Sequence, residues 1–279
     1  MEVLVIGASG KTGTQVTGAL RSLGATVRAG GRTPGAPADG VVPVRFDWTD
    51  RGTWADALGD AEGLYIVGPT AQPDADVLVR ELLAEPAGVR RVVLLSVLGA
   101  DRLPEVVPMA GWEQDVRNSG KEWTILRPNW FQQNFGDGAF TSPLRDKGVL
   151  ELPDGDAALS FIDTRDIAEV AAIALVRGGH GGRTYDLTGP QSLTYTEALA
   201  VLGSAADREL AYVALDPQQH SDQLRAAGLN ERFVIWQQGL HTLIRDGLNT
   251  PVTDAVRQIT GHDPRSLADY AAERAGALR

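Results

Sequence analysis

The chain of 279 residues contains no cysteine. Disulfides, thiolate metal sites and a cysteine nucleophile are thereby excluded. Its four histidines, His180, His220, His241 and His262, show no metal-ligand spacing. Each reads as a surface or loop residue, and no metal site is expected. Positive charge is scarce. The 26 Lys and Arg stand against 36 Asp and Glu, a formal net charge of −10, whereas a nucleic-acid surface shows as a basic footprint. No nucleic-acid partner is expected. The longest apolar runs, such as VVLLSVLGA, fall far short of the roughly 20 residues that span a bilayer. No charged leader precedes the first strand-like run, so no signal peptide is visible and a cytoplasmic protein is expected. There is no internal repeat and no low-complexity linker.

What is present begins at once: MEVLVIGASGKTGTQV. VLVI is a short β-branched run that reads as a buried strand. Glycine then recurs at Gly7, Gly10 and Gly13. TQVTGALRSLG follows, with Val16, Leu20 and Leu23 at helical spacing and Gly24 as a stop. ATVRAGG reads as a second strand. Strand, glycine turn, helix, strand is the context that a dinucleotide fingerprint requires. One glycine permits the tight turn, one lets the backbone approach the pyrophosphate, and one lets helix and strand pack closely. The helix N-terminus offers N–H groups to the phosphates, and Ser9, Lys11 and Thr12 add donors there. The spacing G-x-x-G-x-x-G departs from the usual G-x-G-x-x-G.

A second absence bears on the cofactor. NAD sites place an acid about 20 residues beyond the glycines, on the ribose 2′-hydroxyl. Here the second strand ends RAGGRTPG, and no acid appears before Asp39. Arg32 stands where the acid is expected, and a guanidinium there pairs with a 2′-phosphate. NADP(H) is therefore expected over NAD(H). Arg28 reads as a strand residue.

The rhythm continues. VVPVRF is a third strand, and DWTDRGTWADALG reads as a capped helix. Asp47, at the strand's end, either reaches adenine or begins the turn. GLYIV is a fourth strand, ending in Gly68-Pro69. RRVVLLSV is a fifth, ending at Ser96, and EWTILRP a sixth. Helical segments PDADVLVRELLAEPAG and MAGWEQDVRNSG lie between them. Alternation of this kind predicts a Rossmann-type α/β fold, a doubly wound parallel sheet. Ligands bind such sheets beyond the C-terminal strand ends, which would gather Gly7 to Gly13, Arg32, Asp47, Gly68, Pro69, Ser96 and Pro128 along one edge. FIDTRDIAEVAAIALVRGG reads as a helix begun at Asp163, Thr164 and Asp166. The expected division is a cofactor domain over 1–150, rejoined by 158–180 and by the final helix in 263–279. A smaller α+β lobe occupies 184–262.

At RPNWFQQNF the chain resembles the NmrA-like group of atypical short-chain dehydrogenases/reductases. The likeness also rests on GASGKTG, SVLGAD, SGKEWTILRP, TYDLTGP and TGHDPRSLADYAAERA, in order along nearly the whole chain. The group includes NADPH-dependent quinone and dye reductases and a nitrogen-metabolite regulator. The resemblance implies NAD(P) between a Rossmann domain and a small substrate lobe, in a monomer or homodimer. One departure matters. None of Tyr65, Tyr185, Tyr195, Tyr212 and Tyr270 is followed four residues on by lysine, the pair that makes tyrosine a proton donor in classical members. Ser96 is at most a remnant of that machinery. Acceptors needing no strong acid are favoured: planar, electron-poor quinones, conjugated imines or iminium ions, and enones. Asn129, Trp130, Phe131 and Asn134 follow the sixth strand directly and are the expected substrate residues. Phe131 and Phe135 suit a pocket wall and a packed hinge equally. Trp112 and Trp236 are weaker pocket candidates. The alternative is a regulator that senses the dinucleotide without turnover.

Overall fold

Apolar periodicity switches between two values along the first half of the chain, and the backbone follows it. The computed structural model describes residues 1–70, 72 and 74–278. β1 (Glu2–Ile6) leads into α1 (Lys11–Ser22), which buries Val16 and Leu20. Then come β2 (Thr26–Gly31), β3 (Val41–Arg45), α2 (Trp54–Leu58), β4 (Gly63–Val67) and α3 (Ala75–Leu83). β5 (Arg91–Leu95), α4 (Met109–Asn118) and β6 (Glu122–Pro128) complete the alternating half. Past it lie α5 (Thr141–Lys147), β7 (Val149–Leu152), β8 (Ala158–Leu159), α6 (Thr164–Arg177), β9 (Arg183–Leu187) and β10 (Leu193–Thr194). The chain ends in α7 (Tyr195–Ala206), β11 (Ala211–Ala214), α8 (Pro217–Ala226), α9 (Glu231–Arg245), α10 (Ala255–Thr260) and α11 (Leu267–Arg274).

Seven strands form one sheet in the order β3-β2-β1-β4-β5-β6-β9. The ladders from β3 to β6 are parallel, with Val3 opposite Val27 and Gly63, and Val93 opposite Thr124. β9 runs the same way, since Gly182 donates to Trp123 and Asn129 to Leu187. Strands buried on both faces need continuous apolar runs rather than alternation, and β1, β4 and β5 have them. The order reverses between β1 and β4, the switch point where such sheets bind ligands. The doubly wound Rossmann fold is therefore as expected.

The chain divides into two units. The first holds Met1–Ala100, Pro108–Arg127 and Thr164–Asp186; the second holds Asp101–Val107, Pro128–Asp163 and Leu187–Arg279. The final helix does not rejoin the first unit. Leu267, Tyr270 and Ala271 of α11 enter the second unit's core with Phe135, Phe140, Tyr195 and Leu199. That core is also larger than the expected lobe, because it takes in α5, β7 and β8, too short to announce themselves by periodicity. β7 pairs in parallel with β11, Val149 opposite Ala211, a partner remote in sequence.

The helix expected after β3 is cut down to a 3₁₀ turn, Arg51–Thr53, and the five residues of α2. Asp47 Oδ1 accepts from Thr49 N at 2.9 Å and Thr49 Oγ1 at 2.8 Å. That local side-chain turn competes with helical hydrogen bonding. Among the described residues no helix is long and apolar enough to cross a membrane.

Candidate functional site

The loop after β1 is built from its backbone. Gly7 has φ +73°, in the left-handed region that favours glycine. Gly7 N and Ala8 N both donate to Gly30 O, at 3.1 and 3.2 Å, so the loop hangs on the end of β2. Gly10 N donates to Gly7 O at 2.9 Å and closes the turn. Gly10 then stands at the N-cap of α1 in extended conformation, with no side-chain cap and no acid in the first turn. The positive end of the helix dipole and its orphan N–H groups thus remain for an anion. A Cβ at Gly13 would lie 2.0 Å from Gly7 O, so only glycine lets α1 approach the strand this closely. A Cβ at Gly10 would lie 3.2 Å from the same oxygen; that position demands open approach more than tight packing. Ser9, Gly10 and Lys11 are exposed, but Thr12 is buried beside Tyr65. The cradle fits a dinucleotide pyrophosphate.

Arg32 follows β2 and is exposed. Among the described residues no carboxylate comes within ion-pair distance of it. Asp47 shapes the turn after β3 through Thr49. Hydrogen bonds from Thr49 N and then Thr49 Oγ1 lower its pKa, burial opposes them, and the charges of Arg32 and Arg45 add to the lowering. Gly68 is small because an indole lies on it: a Cβ there would be 2.2 Å from the Trp112 ring. Trp112 is itself core, 1% exposed, with Nε1 donating to Ala75 O at 2.5 Å, so it walls no pocket. Pro69 is buried.

Ser96 is not a free remnant. It is 3% exposed and donates to Glu113 Oε1 at 2.6 Å. Glu113, also buried, accepts from Arg127 Nε at 2.8 Å and Nη2 at 2.7 Å, and from Arg117 at 2.9 Å. Burial pushes this carboxyl up, but Arg127, Ser96 and Arg117 outweigh it and hold it below the usual range. The network ties β5, α4 and β6 together. Sequence reading missed Glu113, whose partners lie up to 17 residues away.

In the second unit Asn129 is 2% exposed and its amide is saturated. Nδ2 donates to Ser160 Oγ and to Asn249 O, both at 2.7 Å. Oδ1 accepts from Trp130 N and from Asn249 Nδ2, both at 2.8 Å. It holds the segment after β6 in place and has no bond left with which to orient a substrate. Trp130 is half-buried, stacked on Phe140 at 5.9 Å and tilted against His241 at 5.4 Å. Phe131 and Asn134 are half-buried, and Phe131 forms a β-bridge with Ile162. Phe135 is core, packed on Phe140 and Phe161. Trp236 is half-buried and edge-on to Phe233.

The tyrosines are inward or engaged. Tyr65, Tyr195 and Tyr270 are buried with unpartnered hydroxyls, and burial is the first cause raising each pKa. Burial pushes Tyr212 up to about 12; its hydroxyl donates to Leu152 O at 2.9 Å. Tyr185 bonds the His180 ring. Two histidines overturn expectation. His220 on α8 is 8% exposed and His241 on α9 only 1%. His241 Nδ1 lies 2.7 Å from Asp154 Oδ1. Helical spacing carried a signal here, since His241 shares the inward face of α9 with Val234 and Ile244. Among the described residues no group of three or more acidic or histidine side chains is arranged to hold a metal ion.

Residues 7–176 match the NAD(P)H-binding family. The uncharacterized oxidoreductase YesF of Bacillus subtilis is 33% identical over 275 residues, 98% of this chain and 95% of its own. The NAD(P)H azoreductase of Xenophilus azovorans is 32% identical over 287 residues, 99% of each chain. The Escherichia coli NADPH-dependent quinone oxidoreductase QOR2, solved with NADPH, superposes with a TM-score of 0.82 at 23% identity, over 98% of this chain and 99% of its own.

Proposed function

The chain belongs to the NAD(P)H-binding family, with the fold of the NmrA-like reductases, and from that premise we propose that it is an NADPH-dependent reductase of planar, electron-poor small molecules. Oxidoreductase relatives match nearly its full length, which does not favour the regulator alternative. The observation that carries the reading is the cradle itself. Gly13 sits against Gly7 at the uncapped N-terminus of α1, and exposed Arg32 replaces an acid at the end of β2. Bound there, NADPH supplies a hydride.

The protein's own part is to hold and orient. The exposed residues Ser9, Gly10 and Lys11 at the N-terminus of α1 take the pyrophosphate, and Arg32 takes the 2′-phosphate. Trp130, Phe131 and Asn134 are the candidate acceptor residues, and Asn129 holds the Trp130 backbone in place. Orientation by itself supplies several kcal/mol of barrier reduction. Quinones, conjugated imines and enones suit a protein with no tyrosine–lysine pair, and the azo bond named for the Xenophilus relative is an electron-poor conjugated acceptor of the same kind.

Calorimetric titration with NADPH and NADH tests the cofactor. Arg32→Ala is expected to weaken NADPH by about 1.5–3 kcal/mol, the worth of a charged hydrogen bond, and to leave NADH almost unchanged. Equal losses for both would sink the assignment. NADPH oxidation against a panel of quinones, imines and enones tests the reaction, and a panel with no active acceptor would refute it.

A further inference from the structure

Gly239 stands in the middle of α9, where glycine weakens a helix. A Cβ there would lie 3.0 Å from Leu103 Cδ2 and 3.2 Å from Pro104 Cδ. The segment after Ala100 thus leans on the helix at this point, and beside the contact opens a pocket of about 400 Å³. The residues that line it all belong to the second unit. We propose that this pocket binds a small zwitterion with an apolar body, its anionic group on Arg102 and its ammonium on Asp246. The proposal goes beyond the reductase reading and does not depend on it.

One wall is a face of α9. Ile235, Gln238 and Thr242 recur on it at helical spacing, with Asp246 following at the C-cap. Arg102 and Pro104 form the facing segment, and Leu243 and Leu248 add apolar surface. The pocket is open to solvent, since Arg102, Pro104, Thr242 and Asp246 are exposed, while Leu243 is buried. Small-molecule sites are clefts of roughly 300–1,000 Å³ that combine apolar walls with a few polar groups, and this pocket has both the size and the mixture.

Its two charges are unspent. Arg102 ends a 3₁₀ turn, Ala100–Arg102, and Asp246 caps α9. Among the described residues neither side chain has a hydrogen-bond or ion-pair partner, and the two do not pair with each other. Asp246 also lies at the negative end of the α9 dipole, where a cation is stabilising and an acid is not. Arg245, the basic residue of that last turn, is engaged elsewhere: it donates to Pro153 O at 3.0 Å and to Thr242 Oγ1 at 2.9 Å. Gln238 Nε2 donates to Ser221 Oγ at 2.8 Å, which ties that amide to α8.

The paired charges select the ligand. A simple anion is drawn to Arg102 and repelled by Asp246, and a simple cation meets the reverse. A neutral apolar molecule would cover both charges and cost them solvation. A metal ion finds a single carboxylate. Only a molecule carrying both signs answers both groups, while its body rests on Pro104, Ile235, Leu243 and Leu248.

Calorimetric titration of the full chain supplies the test. The probes are two zwitterions, tryptophan and para-aminomethylbenzoate, whose charges stand at different separations. Each is compared with its singly charged analogues: indolepropionate and tryptamine for the first, para-toluate and para-methylbenzylamine for the second. At least one zwitterion should bind about tenfold more tightly than either of its analogues, the effect of one charge-assisted hydrogen bond. Arg102→Gln should bring that zwitterion down to the level of the amine, and Asp246→Asn to the level of the acid. Added salt should shrink the preference. Ile235→Trp, which fills the pocket, should remove binding while the thermal melt stays unchanged. No heat from either zwitterion at millimolar concentration, equal affinity for zwitterions and analogues, or a preference that survives both charge variants would overturn the proposal. Because no turnover is measured, such a result leaves the reductase reading as it stands.

Discussion

The loop from Gly7 to Gly13 and the segment from Pro128 to Phe135 both follow a parallel strand, yet they are organised in opposite ways. In the loop the working atoms are backbone amides, and the contacts that close the turn lie within it: Gly10 bonds Gly7, and Gly13 rests on Gly7, while the Gly7 and Ala8 amides reach Gly30 on the next strand. In the later segment the side chains are governed from afar. Asn129 answers to Ser160 and Asn249, 31 and 120 residues away. Trp130 rests on Phe140 and on His241. A site made of local backbone can be read from residue spacing. A site made of side chains meeting across the chain cannot.

The comparison can be broken first at Glu113, where the first unit also relies on remote side chains. Glu113→Ala leaves Arg127 and Arg117 without their buried carboxylate, and the expected loss is about 3–5 kcal/mol. Chemical denaturation checks it, and a loss under 1 kcal/mol would mean that the arginines find water. The pH dependence has a definite sign. Because the folded pKa is lowered, this carboxyl's contribution is present above its unfolded value of about 4.3 and is lost as pH falls through the folded value. Wild-type stability should therefore decline there more steeply than that of Glu113→Gln.

Next in size is Gly13→Val. Its Cβ meets a carbonyl oxygen, so α1 must move off the strand, at about 3 kcal/mol by the measure of overpacked cores. Cofactor binding should vanish with it. Gly10→Val sharpens the contrast, because it should remove binding while circular dichroism stays nearly unchanged. Normal binding by that variant would show that the loop is not the cradle.

The smallest effect belongs to the remote network. Asn129→Ala strands the polar atoms of Ser160 and Asn249, at about 1–3 kcal/mol. Thermal melts should report this, and turnover should fall only through looser placement of Trp130. A variant of full stability but no turnover would return Asn129 to the substrate.

Much of the fold was legible before any coordinate. The alternating half, the order of its first six strands' helices and the glycine cradle all rest on periodicity and on local stereochemistry. Gly7 needs a left-handed backbone and Gly13 a bare Cα, and both needs arise within one turn of chain. The failures share one cause. Ser96 read as a strand-end residue of the cofactor edge because its partner Glu113 lies 17 positions later. Asn129 looked like a substrate donor because its amide's partners were far along the chain. His241 looked like a surface residue because Asp154 lies 87 positions earlier.

By itself, then, the sequence determined the alternating Rossmann half, the cradle at α1 and the absence of an acid where Arg32 stands, since each depends on neighbours within a few turns. Tertiary structure alone decided that α11 joins the second unit, that Trp112 closes over Gly68, and that a carboxylate and an imidazole meet beneath Trp130. Such contacts depend on which distant segments share a core, and no local rule of spacing encodes that choice.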